Sequence, residues 1–300
     1  MADTLYVILG ATGHVGGVIA SRLLDQKKTV RVVGRSADRL KPFTVRGAEG
    51  MAGSIEDPAF AARALAGAGA AFVLVPPNLA TPAFRAYQSK VVESLARAIG
   101  SARPGHVATL SSIGAHLPRG NGPIAGLHEL ERRLDAIPNV HLLHLRPGFF
   151  MENNLASLGM VKQMGILGSA IRADVPIQMI ATADIGEVGA RRLVTLDFKG
   201  HGVLELMGPR DVTMADVARA IGKAIGKPDL RYVQFPYDEA KKGMTGMGLQ
   251  AEMADLYVEM SRAFNEGTVK ATQPRSPATT TPTTIEQFAE KVFAPAYRAG

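Results

Sequence analysis

The feature that most narrows the folds open to this chain is a glycine-spaced loop, Leu9-Gly10-Ala11-Thr12-Gly13-His14-Val15-Gly16-Gly17, set between two periodic segments. Residues 5–9 before it form a β-rich apolar run, and residues 15–24 after it carry apolar side chains at helical spacing. A strand that turns directly into a helix leaves the first N–H groups of that helix without intrahelical partners, aimed at any anion the loop admits. The three spaced glycines divide the work. Gly10 allows the tight turn off the strand, Gly13 lets a pyrophosphate approach the backbone, and Gly16 brings the helix close to the sheet. The spacing is GxxGxxG, not the GxGxxG of the simplest dinucleotide fingerprint. A plain glycine-rich turn has the same composition; the strand before and the helix after are what favour a phosphate cradle. Thr12, His14 and Val15 complete the loop, with His14 read as a surface residue near the pyrophosphate.

The rest of the first half repeats the alternation. Strands are predicted at residues 29–33, 45–51 (weak), 71–75, 106–110 and 140–145. Helices are predicted at 58–66, 84–99 and around 127–136, with Thr81-Pro82 as a candidate start signal ahead of the second. Strand and helix in alternation predict an α/β fold: a Rossmann-type doubly wound parallel sheet. Beyond residue 150 the pattern loosens, with strands expected at 177–180, 202–207 and 230–235 and helices at 185–195, 214–225 and 251–264. Residues 1–150 are therefore read as the dinucleotide-binding domain, with part of about 177–207 returning to it. Residues 151–300 are read mainly as a smaller α/β substrate lobe. A Pro/Thr/Ser-rich connector at 271–284 leads to a last helix at 285–292 capped by Thr284.

Which dinucleotide is bound follows from the end of the second strand, Val32-Val33-Gly34-Arg35-Ser36, with Arg39 soon after. An NAD site usually places an acid there for the ribose 2′-hydroxyl. Here Arg35 offers a planar donor fork suited to a 2′-phosphate, with Ser36 as a hydroxyl donor, so NADP(H) is the expected cofactor. The formal net charge of +7 also favours an anionic partner. A phosphorylated cofactor accounts for it better than nucleic acid, since no dense Lys/Arg block or aromatic interleaving is present and no direct nucleic-acid partner is expected.

Several chemistries are excluded. With no cysteine, disulfides, thiol nucleophiles, Cys-zinc and iron–sulfur sites fall together. His141 and His144 lie three apart on a predicted strand, hence on opposite faces, and no metal site is expected. No apolar run reaches the length of a membrane span, and MADTLYVILG lacks a basic stretch before its apolar one; a cytoplasmic protein without a membrane partner is expected. Glu129, Glu131, Arg132 and Arg133 read as a solvated helical face.

Further motifs strengthen the picture: Gly53-Ser54-Ile55-Glu56-Asp57, Val73-Leu74-Val75-Pro76-Pro77, Leu110-Ser111-Ser112-Ile113-Gly114 and Leu145-Arg146-Pro147-Gly148-Phe149-Phe150-Met151-Glu152-Asn153. With GATGHVGG and VVGR they make the chain resemble the NmrA-like branch of the atypical short-chain dehydrogenases, best over residues 6–152. The resemblance implies that Gly53 and Ser54 lie near the adenine, and that Val75, Pro76 and Pro77 pass the nicotinamide side. It further implies that Ser111, Gly148 and Phe149 close on the cofactor. Ordinary relatives carry a serine and a Tyr-x-x-x-Lys pair. Ser111 and Ser112 are present, but Ile124 stands where the tyrosine would be and His128 where the lysine would be. Ser112 and His128 are thus the catalytic candidates. His128 could orient the ribose, donate a proton near neutral pH, or simply satisfy a neighbour.

Family members of this kind reduce quinones, azo dyes or triphenylmethane dyes with NADPH, and others bind the dinucleotide as regulators. The expectation is a reductase of small aromatic acceptors, monomeric or homodimeric, with a non-catalytic NADP(H)-sensing regulator as the alternative. Phe149, Phe150, Met151, Asn154, Phe235, Met244 and Met247 are the candidate pocket wall, and residues 243–248 a candidate lid.

Overall fold

The computed structural model describes residues 4–299, so the first three residues of the amino-terminal stretch lie outside it. Its first half is a regular alternation of β1 (Leu5–Leu9), α1 (His14–Asp25), β2 (Thr29–Gly34), α2 (Ala37–Thr44), β3 (Glu49–Ala52), α3 (Pro58–Leu65), β4 (Ala70–Leu74), α4 (Phe84–Ala102), β5 (His106–Leu110), α5 (Ala125–Asp135) and β6 (His141–Pro147). With β10 (His201–Leu206) these strands form one parallel sheet in the order β10-β6-β5-β4-β1-β2-β3. The Rossmann-type fold follows from that order. The chain reverses direction across the sheet between β1 and β4, which opens a crevice beyond their carboxyl ends. Helices cover both faces of the central strands, so β4 is buried at every position and reads as an unbroken apolar run.

The second half contributes to two places. Helix α7 (Thr182–Thr195) packs along α1, and β10 adds to the sheet beside β6. The strand at Ile177–Ile180 (β9) does not join that sheet. It lies between β7 (Phe149–Phe150) and β11 (Asp211–Val212), while β8 (Ile166–Ser169) pairs with β12 (Arg231–Gln234). Around these small sheets sit α6 (Leu158–Met164), α8 (Met214–Ala224), α9 (Tyr237–Gly246) and α10 (Ala251–Asn265). The connector at 271–284 is not loosely draped. The buried carboxylate of Glu205 accepts from the backbone N–H of Thr272 and Gln273, each at 2.7 Å, and Thr281 N–H donates to Met207 O at 2.8 Å. Thr284 then caps α11 (Ile285–Phe288) in a reciprocal pair with Gln287, and a wider π-type turn at Ala289–Phe293 leads into α12 (Ala294–Ala299).

Three local expectations need correction. Helix α2 occupies residues assigned to no element, and the third strand starts later, at Glu49. Pro42 inside α2 and its sparse apolar side chains hid the helix. Helix α4 begins at Phe84 as expected, but its N-cap is Ala83 and the Thr81-Pro82 signal lies outside the helix. Its first N–H groups, from Phe84 and Arg85, are met by the carboxylate of Glu252 on α10. Residues 243–246 form the last turn of α9 and are not a loop. The two strand histidines serve separate partners. His144 is buried between Thr109 Oγ1 (2.8 Å) and Asp135 Oδ1 (3.0 Å), and His141 Nδ1 accepts from Gly200 N–H at 3.0 Å. The hydrogen bond from His144 holds the Asp135 carboxyl below the usual aspartate range.

Candidate functional site

A cavity of about 700 Å³ runs along the carboxyl edge of the sheet, over the point where strand order reverses. The phosphate-loop residues Gly10, Thr12, Gly13, His14, Val15 and Gly16 line one end. Gly10 has φ +65°, and a Cβ there would lie 2.8 Å from Leu74 Cδ2. A Cβ on Gly16 would lie 2.5 Å from the Gly10 carbonyl oxygen, so that glycine is required for α1 to sit on the loop. Gly13 differs. Its φ is −95° and a Cβ would meet only Gly10 O, at 3.3 Å; its bare Cα borders the cavity. The first intrahelical bond of α1 is Gly17 N–H to Gly13 O, and no side chain caps the helix. The N–H groups of residues 14–16 are therefore left for a ligand, and the cradle fits a pyrophosphate.

Arg35 and Arg39 line the same end. Among the described residues Arg35 is exposed and has no hydrogen bond or ion pair, leaving its guanidinium free for an anion. Arg39 Nη2 donates to Thr12 O at 3.0 Å, tying α2 to the phosphate loop. Ser36 is not on the cavity wall. Its hydroxyl is the N-cap of α2, accepting from Arg39 N–H at 3.4 Å, so it orients the helix that carries Arg39. Gly53 and Ser54 line the cavity with Glu56, which accepts the Ser54 hydroxyl. A Cβ on Gly53 would overlap the Phe60 ring at 2.3 Å.

Val75, Pro76, Pro77, Ser111, Ser112, Gly148 and Phe149 form the middle of the wall. The Tyr87 hydroxyl donates to Pro76 O at 2.9 Å, and burial first, then Glu56, pushes its pKa up to about 12. Gly148 is required by contact, since a Cβ there would lie 2.1 Å from Gln178 O. Behind Ser111 the structure corrects the reading of α5 as a charged solvated face. Glu131 is 5% exposed, accepts the Ser111 hydroxyl at 2.5 Å and pairs with Arg146 through Nε (2.9 Å) and Nη2 (2.5 Å). Ser112 donates to Ile113 O at 2.9 Å. His128 stands apart from the cavity wall. Its Nδ1 donates to Ala115 O at 2.9 Å, bracing the turn that follows Ser111 and Ser112.

The far end of the cavity is apolar. Phe149 and Phe150 line it, whereas Met151 and Asn154 are buried elsewhere, Asn154 donating to Met151 O at 2.8 Å. Phe235, Met244 and Met247 do not reach it; the Phe235 ring lies against Gly168, and Met247 points outward. In their place α10 supplies Met253, Tyr257, Met260 and Phe264. Phe264 meets Phe149 edge-on, with centroids 5.9 Å apart. The spacing of these four residues is that of one helical face, a signal present in the sequence but overlooked among several Met- and Phe-rich stretches.

Residues 10–136 match the family model described as NAD(P)H-binding. Among curated proteins the chain is similar to an NAD(P)H azoreductase from Xenophilus azovorans, 26% identical over 261 residues, covering 85% of this chain and 86% of that protein. Among solved structures it is similar to the NADPH-dependent quinone oxidoreductase QOR2 of Escherichia coli complexed with NADPH, at 19% identity and TM-score 0.81, covering 97% of this chain and 100% of that one. It is similar also to NmrA, a negative transcriptional regulator, in complex with NADP, at 15% identity and TM-score 0.67, covering 100% of this chain and 98% of that one. The match falls on the stretch that builds the phosphate loop, Arg35, Gly53 and Ser111, and residues 10–136 are accordingly an NAD(P)H-binding domain on a Rossmann-type fold shared with NmrA and the quinone oxidoreductase.

Proposed function

We propose that this protein is an NADPH-dependent reductase of quinone-like or other aromatic electron acceptors. One observation carries the reading: the dinucleotide cradle and an apolar chamber walled by α10 and Phe149 are two ends of the same open cavity. A bound nicotinamide supplies two electrons and a hydrogen in a single transfer. The chain's part is to hold that ring against a flat acceptor and exclude water. Val75, Pro76, Pro77 and Phe149 give apolar surface for both rings, and the N–H groups at the start of α1 with Arg35 anchor the phosphates. The similarity to an azoreductase and to a quinone oxidoreductase supports the same class of acceptor. Monitoring the nicotinamide absorbance with a panel of quinones and azo dyes tests the proposal. Tight NADPH binding with no turnover on any acceptor would favour a sensor.

NADPH should be preferred to NADH because Arg35 is free and no acid stands at the end of β2. Arg35→Ala should weaken NADPH binding by about 1.5–3 kcal/mol and leave NADH nearly untouched. Equal losses in calorimetric titrations of the two cofactors would remove Arg35 from the 2′-phosphate site. His128 reaches no further than the Ala115 carbonyl, which it holds in the turn after Ser112. His128→Gln should cost at most about 1 kcal/mol in thermal unfolding and leave the turnover number and its pH profile unchanged. A rate loss in which the variant also loses a pH limb that the wild type shows would restore it as a proton donor.

A further inference from the structure

The hydroxyls that line the cavity differ in what they have left to give. Tyr87 donates to Pro76 O, Ser111 to Glu131, Ser112 to Ile113 O and Thr182 to Glu152. Ser54 donates to Glu56, and Thr12 belongs to the phosphate loop. The Tyr257 hydroxyl makes no hydrogen bond among the described residues, yet Tyr257 lines the cavity on the same helical face as Met253 and Met260. A partly buried phenol in such a wall is costly to leave unpaired when the chamber fills with an apolar ring.

The placement of α10 gives that hydroxyl a use. Helix α10 packs on the short turn Gly122–Ile124, so closely that a Cβ on Gly122 would lie 2.1 Å from Leu256 O. Ile124, which lines the cavity, occupies the position where the family resemblance implies a tyrosine. The helix over this turn therefore brings in a phenol that the turn itself lacks. It is anchored at both ends: Glu252 binds the N–H groups of Phe84 and Arg85, and Asn265 accepts from Arg172 N–H at 2.7 Å and donates to Ala170 O at 3.0 Å. A polar group on a helix fixed in this way is positioned before any ligand arrives.

We propose that Tyr257 is the group that meets the substrate's acceptor atom, a quinone-type carbonyl oxygen or an azo nitrogen, and donates a hydrogen bond to it. This rests on the reductase reading above. Reduction adds two electrons and one hydrogen from the dinucleotide to the acceptor and leaves negative charge on that oxygen or nitrogen. Tyr257 stabilises the charge by hydrogen bonding, and the proton that completes the product comes from water at the cavity mouth. Burial raises the Tyr257 pKa above the ordinary phenol value, so the group remains a donor through the neutral range. The site thereby selects flat aromatic acceptors that carry an accepting atom over hydrocarbons of the same shape.

The test compares wild type with Tyr257→Phe, which removes only the hydroxyl. Binding of 2-methyl-1,4-naphthoquinone and of 2-methylnaphthalene to the NADP⁺-loaded protein is followed by calorimetry, and quinone reduction by absorbance. The expected result is quinone binding about tenfold weaker, kcat/KM about 10- to 100-fold lower, and unchanged affinity for the hydrocarbon and for NADPH. Unchanged quinone binding and turnover in the variant would overturn the role of Tyr257 while leaving the reductase reading intact. Equal losses for quinone and hydrocarbon would also overturn it, by showing that the ring packs and the hydroxyl is idle. If wild type neither binds nor reduces this quinone or the other acceptors of the panel, the reductase reading falls and the role of Tyr257 falls with it.

Discussion

Gly13→Val should abolish dinucleotide binding in a protein that still folds. The expectation rests on the contrast between two glycines of one loop. At Gly16 an added Cβ would be driven into the Gly10 carbonyl at 2.5 Å, so any side chain there pries α1 from the loop and unfolds the domain locally. At Gly13 the backbone is in a region open to every residue, and an added Cβ meets only Gly10 O at 3.3 Å. The chain can absorb that contact with a shift of a few tenths of an ångström. The rest of the valine side chain then stands where the backbone must come closest to the pyrophosphate, over the free N–H groups of residues 14–16. NADPH and NADH affinity should both fall by about 100-fold or more, or ~3 kcal/mol. The melting temperature without ligand should shift little. Normal NADPH affinity in the variant would mean that the cofactor does not lie across this loop.

Glu131→Ala should be among the most destabilising substitutions near the site, costing about 3–5 kcal/mol. Arg146, on β6, would lose both hydrogen bonds to its partner while remaining largely buried. An uncompensated buried charge costs far more than the intact pair contributes. A second effect reaches the cavity. The Ser111 hydroxyl, now committed to Glu131, would be released to rotate on the cavity wall. Glu131→Gln keeps an acceptor for both neighbours and should lose less. Replacing Arg146 with methionine alongside Glu131→Ala should recover part of the stability, because the orphaned guanidinium is gone while the buried Glu205 carboxylate loses a neighbouring cation. Urea unfolding of the single and double variants measures this directly. Additive losses in the double variant would show that Glu131 and Arg146 act independently.

The sequence alone determined the parallel sheet, the glycine turn from β1 into α1 and the position of Arg35 after β2, because each is specified by neighbours in the chain. A β-rich run, spaced glycines and a helical face are contiguous, and their physics is local hydrogen bonding and sterics. The apolar spacing also located α7, α8 and α10 closely. What only the tertiary structure decided involves partners far apart in the chain. Ser36 reads as a ligand donor until its helix is seen to need a cap. Glu131 reads as solvated until β6 brings Arg146 against α5. The first N–H groups of α4 are met by Glu252, 168 residues away, a partner that no local signal encodes. His128 aligns with a catalytic position by spacing, but its ring is turned to the Ala115 carbonyl, away from the cavity. The substrate wall comes from α10 and not from the Met-rich end of α9, because packing of α10 on the turn at residues 122–124 decides which apolar face meets the crevice. Local patterns establish which segments are helices and strands. Which buried polar group finds which partner depends on distance in space, and that distance exists only once the sheet has formed.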